Sequence, residues 1–166
     1  MSVPTVETLS ALERELGKLS QSEFRGQARV VVPKEKLADA FTMLKARGFD
    51  LLADVTCVDY LAYRDATDRF GLVYLLTNVT TNERLTLRVF LNEPDLTVPS
   101  ATGWWEGANW LEREVWDMFG ITFDGHPDHR RILCPDEFTA HPLRKDYPLQ
   151  GRGERHNFPV LARNQA

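Results

Sequence analysis

The chain has 166 residues, 20 basic and 24 acidic side chains, a formal net charge of −4 and a pI near 5.6. That is one domain's worth of polypeptide. An apolar fraction of 43%, with nine Phe, four Tyr and four Trp, supports a core without disulfide or metal staples. The acidic balance excludes a module that holds nucleic acid through bulk positive charge. No apolar run reaches the roughly 18–20 residues that a helical membrane span needs. The N-terminal stretch MSVPTVETLS has neither the basic nor the apolar region of a signal peptide. Cys57 and Cys134 lie far apart with no CxxC motif, which fits a reduced, cytosolic protein and not a disulfide scaffold.

Leu9, Leu12, Leu16 and Leu19 recur at three- and four-residue spacing and predict a first helix. Ala28 to Val32, with three consecutive valines, predicts a short strand. Pro33 opens a second helix that buries Leu37, Phe41 and Leu44 and ends at Gly48. Leu51 to Tyr60 and Phe70 to Thr80 read as strands, the second so apolar that it belongs at the sheet centre. Arg84 to Leu91 alternates cleanly, with Leu85, Leu87, Val89 and Leu91 on one face. The short Thr81-Asn82 link between the last two predicts an antiparallel hairpin. A third helix runs from about Trp104 to Phe119. Its buried stripe is Trp104, Ala108, Leu111, Val115 and Met118, and Glu106, Asn109, Arg113 and Asp117 lie opposite. Gly120 ends it. The expected architecture is α+β: a two-layer domain over 1–120, with a mainly antiparallel sheet covered by helices.

Residues 121–166 form a C-terminal arm in which no helix or strand is expected. Residues 1–118 carry 13 basic and 18 acidic side chains, against 7 and 6 in residues 119–166. All four histidines and five of nine prolines fall in that second part. An extended segment with spaced apolar anchors (Phe123, Ile132, Leu133, Phe138, Leu143, Tyr147, Leu149, Phe158, Val160 and Leu161) lies on something. That is its own domain or a partner protein, and the partner is favoured.

Several groups have chemical potential. Glu112, Glu114 and Asp117 are carboxylates on one helix, and Arg113 with Asp117 suits an i, i+4 ion pair on a solvated face. His126, His129, Cys134 and His141 are four possible zinc ligands, but their spacing matches no familiar site. His126-Pro127 and His141-Pro142 read better as turn corners. The basic pairs Arg130-Arg131 and Arg144-Lys145 suit carboxylates, either on a partner or on Asp128, Asp136 and Asp146 of the arm itself. Trp104, Trp105, Trp110 and Trp116 cluster within thirteen residues, enough for some to face an interface. GxGxxG, GxxxxGK[ST], GxSxG and HExxH are all absent. The residues alone describe a subunit better than an enzyme.

The run Gly107-Ala108-Asn109-Trp110-Leu111-Glu112-Arg113-Glu114-Val115-Trp116-Asp117-Met118-Phe119-Gly120-Ile121 continues into Phe123-x-Gly125-His126-Pro127-x-x-Arg130-Arg131-Ile132-Leu133. It closes with His141-Pro142-Leu143-Arg144-Lys145-Asp146-Tyr147-Pro148-Leu149. This long, ordered signature resembles the 30 kDa subunit family of NADH–quinone oxidoreductase, respiratory complex I. His129, Cys134 and Thr139-Ala140 depart from the family pattern.

The resemblance implies a non-catalytic subunit that binds no cofactor and no metal itself. The complex it implies uses NADH, FMN, iron–sulfur clusters and quinone, with electron flow coupled to proton translocation. The implied partners are the large quinone-site subunit and neighbouring iron–sulfur subunits of the peripheral arm. Nucleic acid is not among them, and the membrane is reached only through the complex, at the cytoplasmic face of the inner membrane. Trp110, Glu112, Arg113, Glu114, Asp117, Phe119, Arg130, Arg131, Arg144, Lys145 and Asp146 would then be interface residues, and Gly120, Gly125, His126, Pro127, His141 and Pro142 would set the arm's path. Homologous subunits of membrane-bound hydrogenases and of ferredoxin- or F420-dependent complexes are the alternative, with a free-standing metal-dependent enzyme a remote one.

Overall fold

The computed structural model describes residues 3–153. Helix α1 (Val3–Leu16) leads into strands β1 (Ser20–Phe24) and β2 (Gln27–Val31). One 3-10 turn (Lys34–Lys36) precedes α2 (Leu37–Ala46). Strands β3 (Leu51–Asp59), β4 (Phe70–Asn78) and β5 (Glu83–Leu91) follow, then β6 (Thr97–Pro99), α3 (Ala108–Phe119) and β7 (Thr122–Asp124).

The main sheet has the order β1-β2-β5-β4-β3, antiparallel except for the parallel β2–β5 pair. The predicted α+β fold is therefore present, but the central strand is β5; β4, expected there, stands second from one edge between β5 and β3. Register settles which face is buried. Leu72, Tyr74 and Leu76 of β4 pair with Val89, Leu87 and Leu85 of β5, and all are buried beneath the helices. Leu9, Leu12 and Leu16 of α1, and Leu37, Phe41 and Leu44 of α2, close that core from above. Burying each such side chain contributes about 1.5–3 kcal/mol. Phe41 sits 5.0 Å from Tyr74, 5.3 Å from Trp104 and 5.5 Å from Trp105, which ties α2 to the loop before α3.

Three elements differ from expectation. The first helix stops at Leu16, and the next residues form strand β1, whose residues are all exposed. Its sequence, SQSEF, has no apolar alternation. It is recruited by the turn at Arg25 and Gly26, both at positive φ (52° and 80°), which folds it back on β2. The third helix starts at Ala108, because residues 101–107 are taken up by turns that bring Trp105 inward to donate to the Phe49 carbonyl at 2.8 Å. Finally, the arm is not free of regular structure: β7 pairs in parallel with β6, so α3 is flanked by two short strands that hydrogen-bond to each other.

Gly120 caps α3 at φ +80°, as expected, but also serves a second purpose. A Cβ there would lie 2.7 Å from the His141 ring. Gly120→Ala is expected to lower stability by about 1–2 kcal/mol from left-handed strain alone, and by more as His141 is pushed off, in urea denaturation.

Candidate functional site

The signature residues converge on α3, but not as a solvated charged face. Asp117 is fully buried. Its Oδ2 accepts from the backbone N–H groups of Ile132 (3.1 Å), Leu133 (2.8 Å) and Cys134 (2.8 Å), and its Oδ1 accepts from Arg131. The expected Arg113–Asp117 pair does not form. A carboxylate in the last turn of a helix opposes the helix dipole, so its place is justified by these partners. Burial pushes its pKa up, but the three N–H donors and Arg131 outweigh that and hold the carboxyl below its usual range.

The arm is fastened along α3 by further contacts. Arg131 also donates to the Ala140 carbonyl at 3.1 Å, and its guanidinium lies 5.5 Å from the Trp116 ring and 5.6 Å from the Phe138 ring. Arg113 donates to the Arg130 and Arg131 carbonyls at 3.1 and 2.9 Å. The His141 Nδ1 donates to the Asp117 carbonyl at 3.0 Å, and the Leu143 N–H to the Met118 carbonyl at 3.1 Å. Both nitrogens of His126 are engaged: Nε2 donates to the Asn109 carbonyl, and Nδ1 accepts from the Asp128 N–H, each at 3.0 Å. The His-Pro corners sit in turns, with Gly125 at φ +79°, the His126 N–H donating to the Phe123 carbonyl at 3.2 Å and the Arg144 N–H to the His141 carbonyl at 3.2 Å.

Glu112 is the second buried carboxyl. Its Oε1 accepts from the Ala101 N–H and its Oε2 from Ser100 Oγ, both at 2.6 Å, and His126 Nε2 is 4.0 Å away. Burial raises its pKa to about 7, against the hydrogen bonds from Ser100 and Ala101, which lower it. Ser100 Oγ is also 2.8 Å from Thr102 Oγ1, so the hydroxyl pair can donate toward an ionised Glu112 or accept from a protonated one. Glu112 and Asp117 thus lie inward, where the helical stripe placed only apolar residues, while Glu114 is exposed.

The metal candidates do not assemble. His129 packs on Trp116 with ring centroids 4.5 Å apart, and burial pushes the Cys134 thiol up. Among the described residues no three His, Cys, Asp or Glu side chains are grouped to hold an ion.

A second fastening was invisible in the sequence. Arg69 donates to Glu93 (2.9 Å) and Asp146 (2.6 Å), and Arg144 donates to Glu93. The buried Asp59 accepts from the Lys145 N–H at 2.8 Å. Arg144 holds the Glu93 carboxyl below its usual range. These partners stand up to 86 residues apart, and no local pattern marks Asp59, Arg69 or Glu93. The described part of the arm therefore lies on its own domain; anchors Phe158, Val160 and Leu161 fall outside the described residues. Arg130 differs, with its side chain 71% exposed beside Asp128. Arg144→Glu is expected to speed amide exchange over residues 143–147 about tenfold, while Arg130→Glu leaves it unchanged. Trp110 (58% exposed), Leu133 (62%) and Leu143 (51%) remain uncovered around α3, whereas Phe119 is buried.

The model of the family "Respiratory-chain NADH dehydrogenase, 30 Kd subunit" matches residues 30–153. The chain is 48% identical to an NADH-quinone oxidoreductase subunit of Trichlorobacter lovleyi, over 89% of its own length and 93% of that protein's. Among solved structures it is similar to a trypsin-resistant fragment of Nqo5, at a TM-score of 0.69 and 38% identity, covering 74% of this chain and 98% of that one. A chain of an archaeal membrane-bound sulfane sulfur reductase complex shares the fold at a TM-score of 0.75 and 24% identity, covering 96% and 94%.

Proposed function

The chain belongs to the family of the respiratory-chain NADH dehydrogenase 30 kDa subunit, and from that membership we propose that it is a structural subunit of the peripheral arm of an NADH–quinone oxidoreductase. In this reading it binds no cofactor of its own. It braces the quinone-site module, beside the large quinone-site subunit and neighbouring iron–sulfur subunits, at the cytoplasmic face of the membrane. The complex supplies NADH, FMN, iron–sulfur clusters and quinone, and this chain supplies shape and contacts.

One observation carries the proposal. The polar side chains of the signature, Asp117, Arg131, Arg113, His126 and His141, are spent on backbone groups and on each other within the chain. They rigidify a surface; they do not converge on an open cavity to do chemistry. The apolar side chains left uncovered beside them, Trp110, Leu133 and Leu143, supply an anchor suited to a neighbouring subunit. No helix among the described residues is long and apolar enough to cross a membrane, so in this reading membrane attachment comes through the partners.

The test is a pull-down of the tagged chain from gently solubilised membranes, with partners identified by mass spectrometry. Recovery of flavin, iron–sulfur and membrane subunits in fixed ratio is the expected result, and the electron-donor module recovered names the complex. Recovery of the chain alone with stoichiometric metal would overturn it.

A further inference from the structure

All three helices bury their apolar residues in the core on one side of the five-stranded sheet, and among the described residues no helix or strand lies on the other. Pairing register assigns its residues. Arg29 opposes Thr86, Val31 opposes Arg88, and Arg88 opposes Val73 across the next ladder, so these side chains share the uncovered face. A sheet face turned to water is expected to be polar. This one carries Val58, Val73 and Leu75, the last 37% exposed, among its arginines and threonines.

Its arginines are set apart from those of the arm. Arg69, Arg131 and Arg144 are each paired with carboxylates. Arg29, Arg84 and Arg88 have no carboxylate partner among the described residues. The Arg29 guanidinium carbon is 4.3 Å from the Phe24 ring centroid, and that of Arg88 is 5.3 Å from Phe90 while Arg88 donates to the Tyr60 hydroxyl. A guanidinium stacked on a ring keeps its N–H rim free to take a carboxylate in bidentate fashion. Asp54 is the acidic side chain that the register places among them. A chain of net −4 thus keeps a basic face on the open side of its sheet.

One end of that face is hollowed. Tyr60 lies across Gly71, where a Cβ would come within 2.7 Å of its ring. Tyr60, Tyr63 and the loop through Asp68 wall a cavity of about 520 Å³, with Phe90 and Arg88 as its other side. It is open, takes Arg88 and Arg64 into its lining along with Asp65 and Asp68 of the loop, and leads onto the face that carries Arg29 and Arg84.

We propose that the uncovered sheet face is a second docking surface, occupied by an acidic segment of another protein subunit. That segment places carboxylates on Arg29, Arg84 and Arg88 and an apolar side chain in the Tyr60–Tyr63–Phe90 cleft. The charge of the face favours carboxylates, and electrostatic complementarity of this kind sets partner choice more than raw affinity. The proposal rests on the chain being a subunit of a larger assembly. It goes beyond that reading because none of the residues invoked on this face belongs to the signature or to the described part of the arm.

The test uses the chain assembled in its complex. Cys134 is replaced by Ser; Cys57 is buried with its thiol pushed up to about 12, so it stays silent to maleimide. In that background Thr86→Cys is expected to react about tenfold or more slowly in the complex than in the free chain. A photo-crosslinking side chain at Leu75 is expected to reach a carboxylate-rich stretch of a different subunit. R29E/R84E is expected to cut the share of chain recovered in the complex several-fold, with an unchanged melting curve for the free chain. Equal labelling of Thr86→Cys in complex and free chain would overturn the proposal while leaving the subunit reading intact. Crosslinks to lipid, to nucleic acid, to a second copy of this chain, or to a basic stretch would also overturn it. If the chain never enters a complex, the subunit reading and this proposal fall together.

Discussion

Asp117→Ala is expected to unfasten the arm from α3 and to lower stability by about 3–5 kcal/mol, the range for breaking a buried charge pair from one side. The substitution leaves Arg131, mostly buried between two aromatic rings, without its counter-charge. It also leaves the N–H groups of Ile132, Leu133 and Cys134 without their acceptor. Asp117→Asn keeps an acceptor oxygen and removes the charge, so a smaller loss is expected. Urea denaturation reads the magnitude, and trypsin cleavage after Arg130 and Arg131 reads the release. Unchanged stability and unchanged cleavage in Asp117→Ala would refute the latch. The pH dependence has a definite sign. The folded carboxyl titrates below its unfolded value, so its stabilisation is complete above the ordinary carboxylate range and is lost as pH falls through the folded value.

Glu112 has the opposite sign. Its folded pKa is raised to about 7 from 4.5, so between those values the folded state holds a proton that the unfolded state has released. Stability therefore declines as pH rises from about 4.5 to about 7 and levels off above, by about 3 kcal/mol at most. Glu112→Gln resembles the protonated form in charge and shape. It is expected to flatten the curve in that window and to leave the variant at least as stable as the parent at pH 8. Thermal melts from pH 4 to 8 decide it: a variant that keeps the parent's slope would show that another group titrates there. His126 faces Glu112 at 4.0 Å and Tyr74 lies across the core from it, so His126→Gln and Tyr74→Phe are the controls.

The two carboxylates also show where sequence reasoning stops. Periodicity located all three helices and four of the five main strands, because Leu12, Phe41, Leu87 and their neighbours are buried for the reason that the pattern exists. The antiparallel pairing of β4 and β5 was legible from the short link, which is four residues, 79–82, and not the two expected, with Asn82 at φ 56°. Strand β1 escaped because edge pairing with solvent on both sides leaves no hydrophobic period to read. Glu112 and Asp117 escaped for a different reason. A helical wheel assumes that charge faces water, and it does not see a later segment arriving with three N–H groups and a guanidinium. The arm's Arg131 and Arg144 were recognisable as carboxylate binders, but their partners, Asp117 and Glu93, are fixed by tertiary structure. The long motif was legible as a family signature before any of its contacts were.

The latch also has a direction in time. Every side-chain and backbone donor to the Asp117 carboxylate lies 14 to 17 residues later in the chain. A ribosome therefore finishes α3 while its last turn still carries a naked charge that the folded core is meant to enclose. The five-stranded sheet and the first two helices are complete by then, but this corner cannot close until residue 134 has emerged. Growing chains halted before that point expose Met118 and Phe119 beside an unpaired carboxylate, a surface suited to chaperone capture or proteolysis. Closing this corner thus requires that translation has run past Cys134, some way into the signature, before any partner is offered a finished surface.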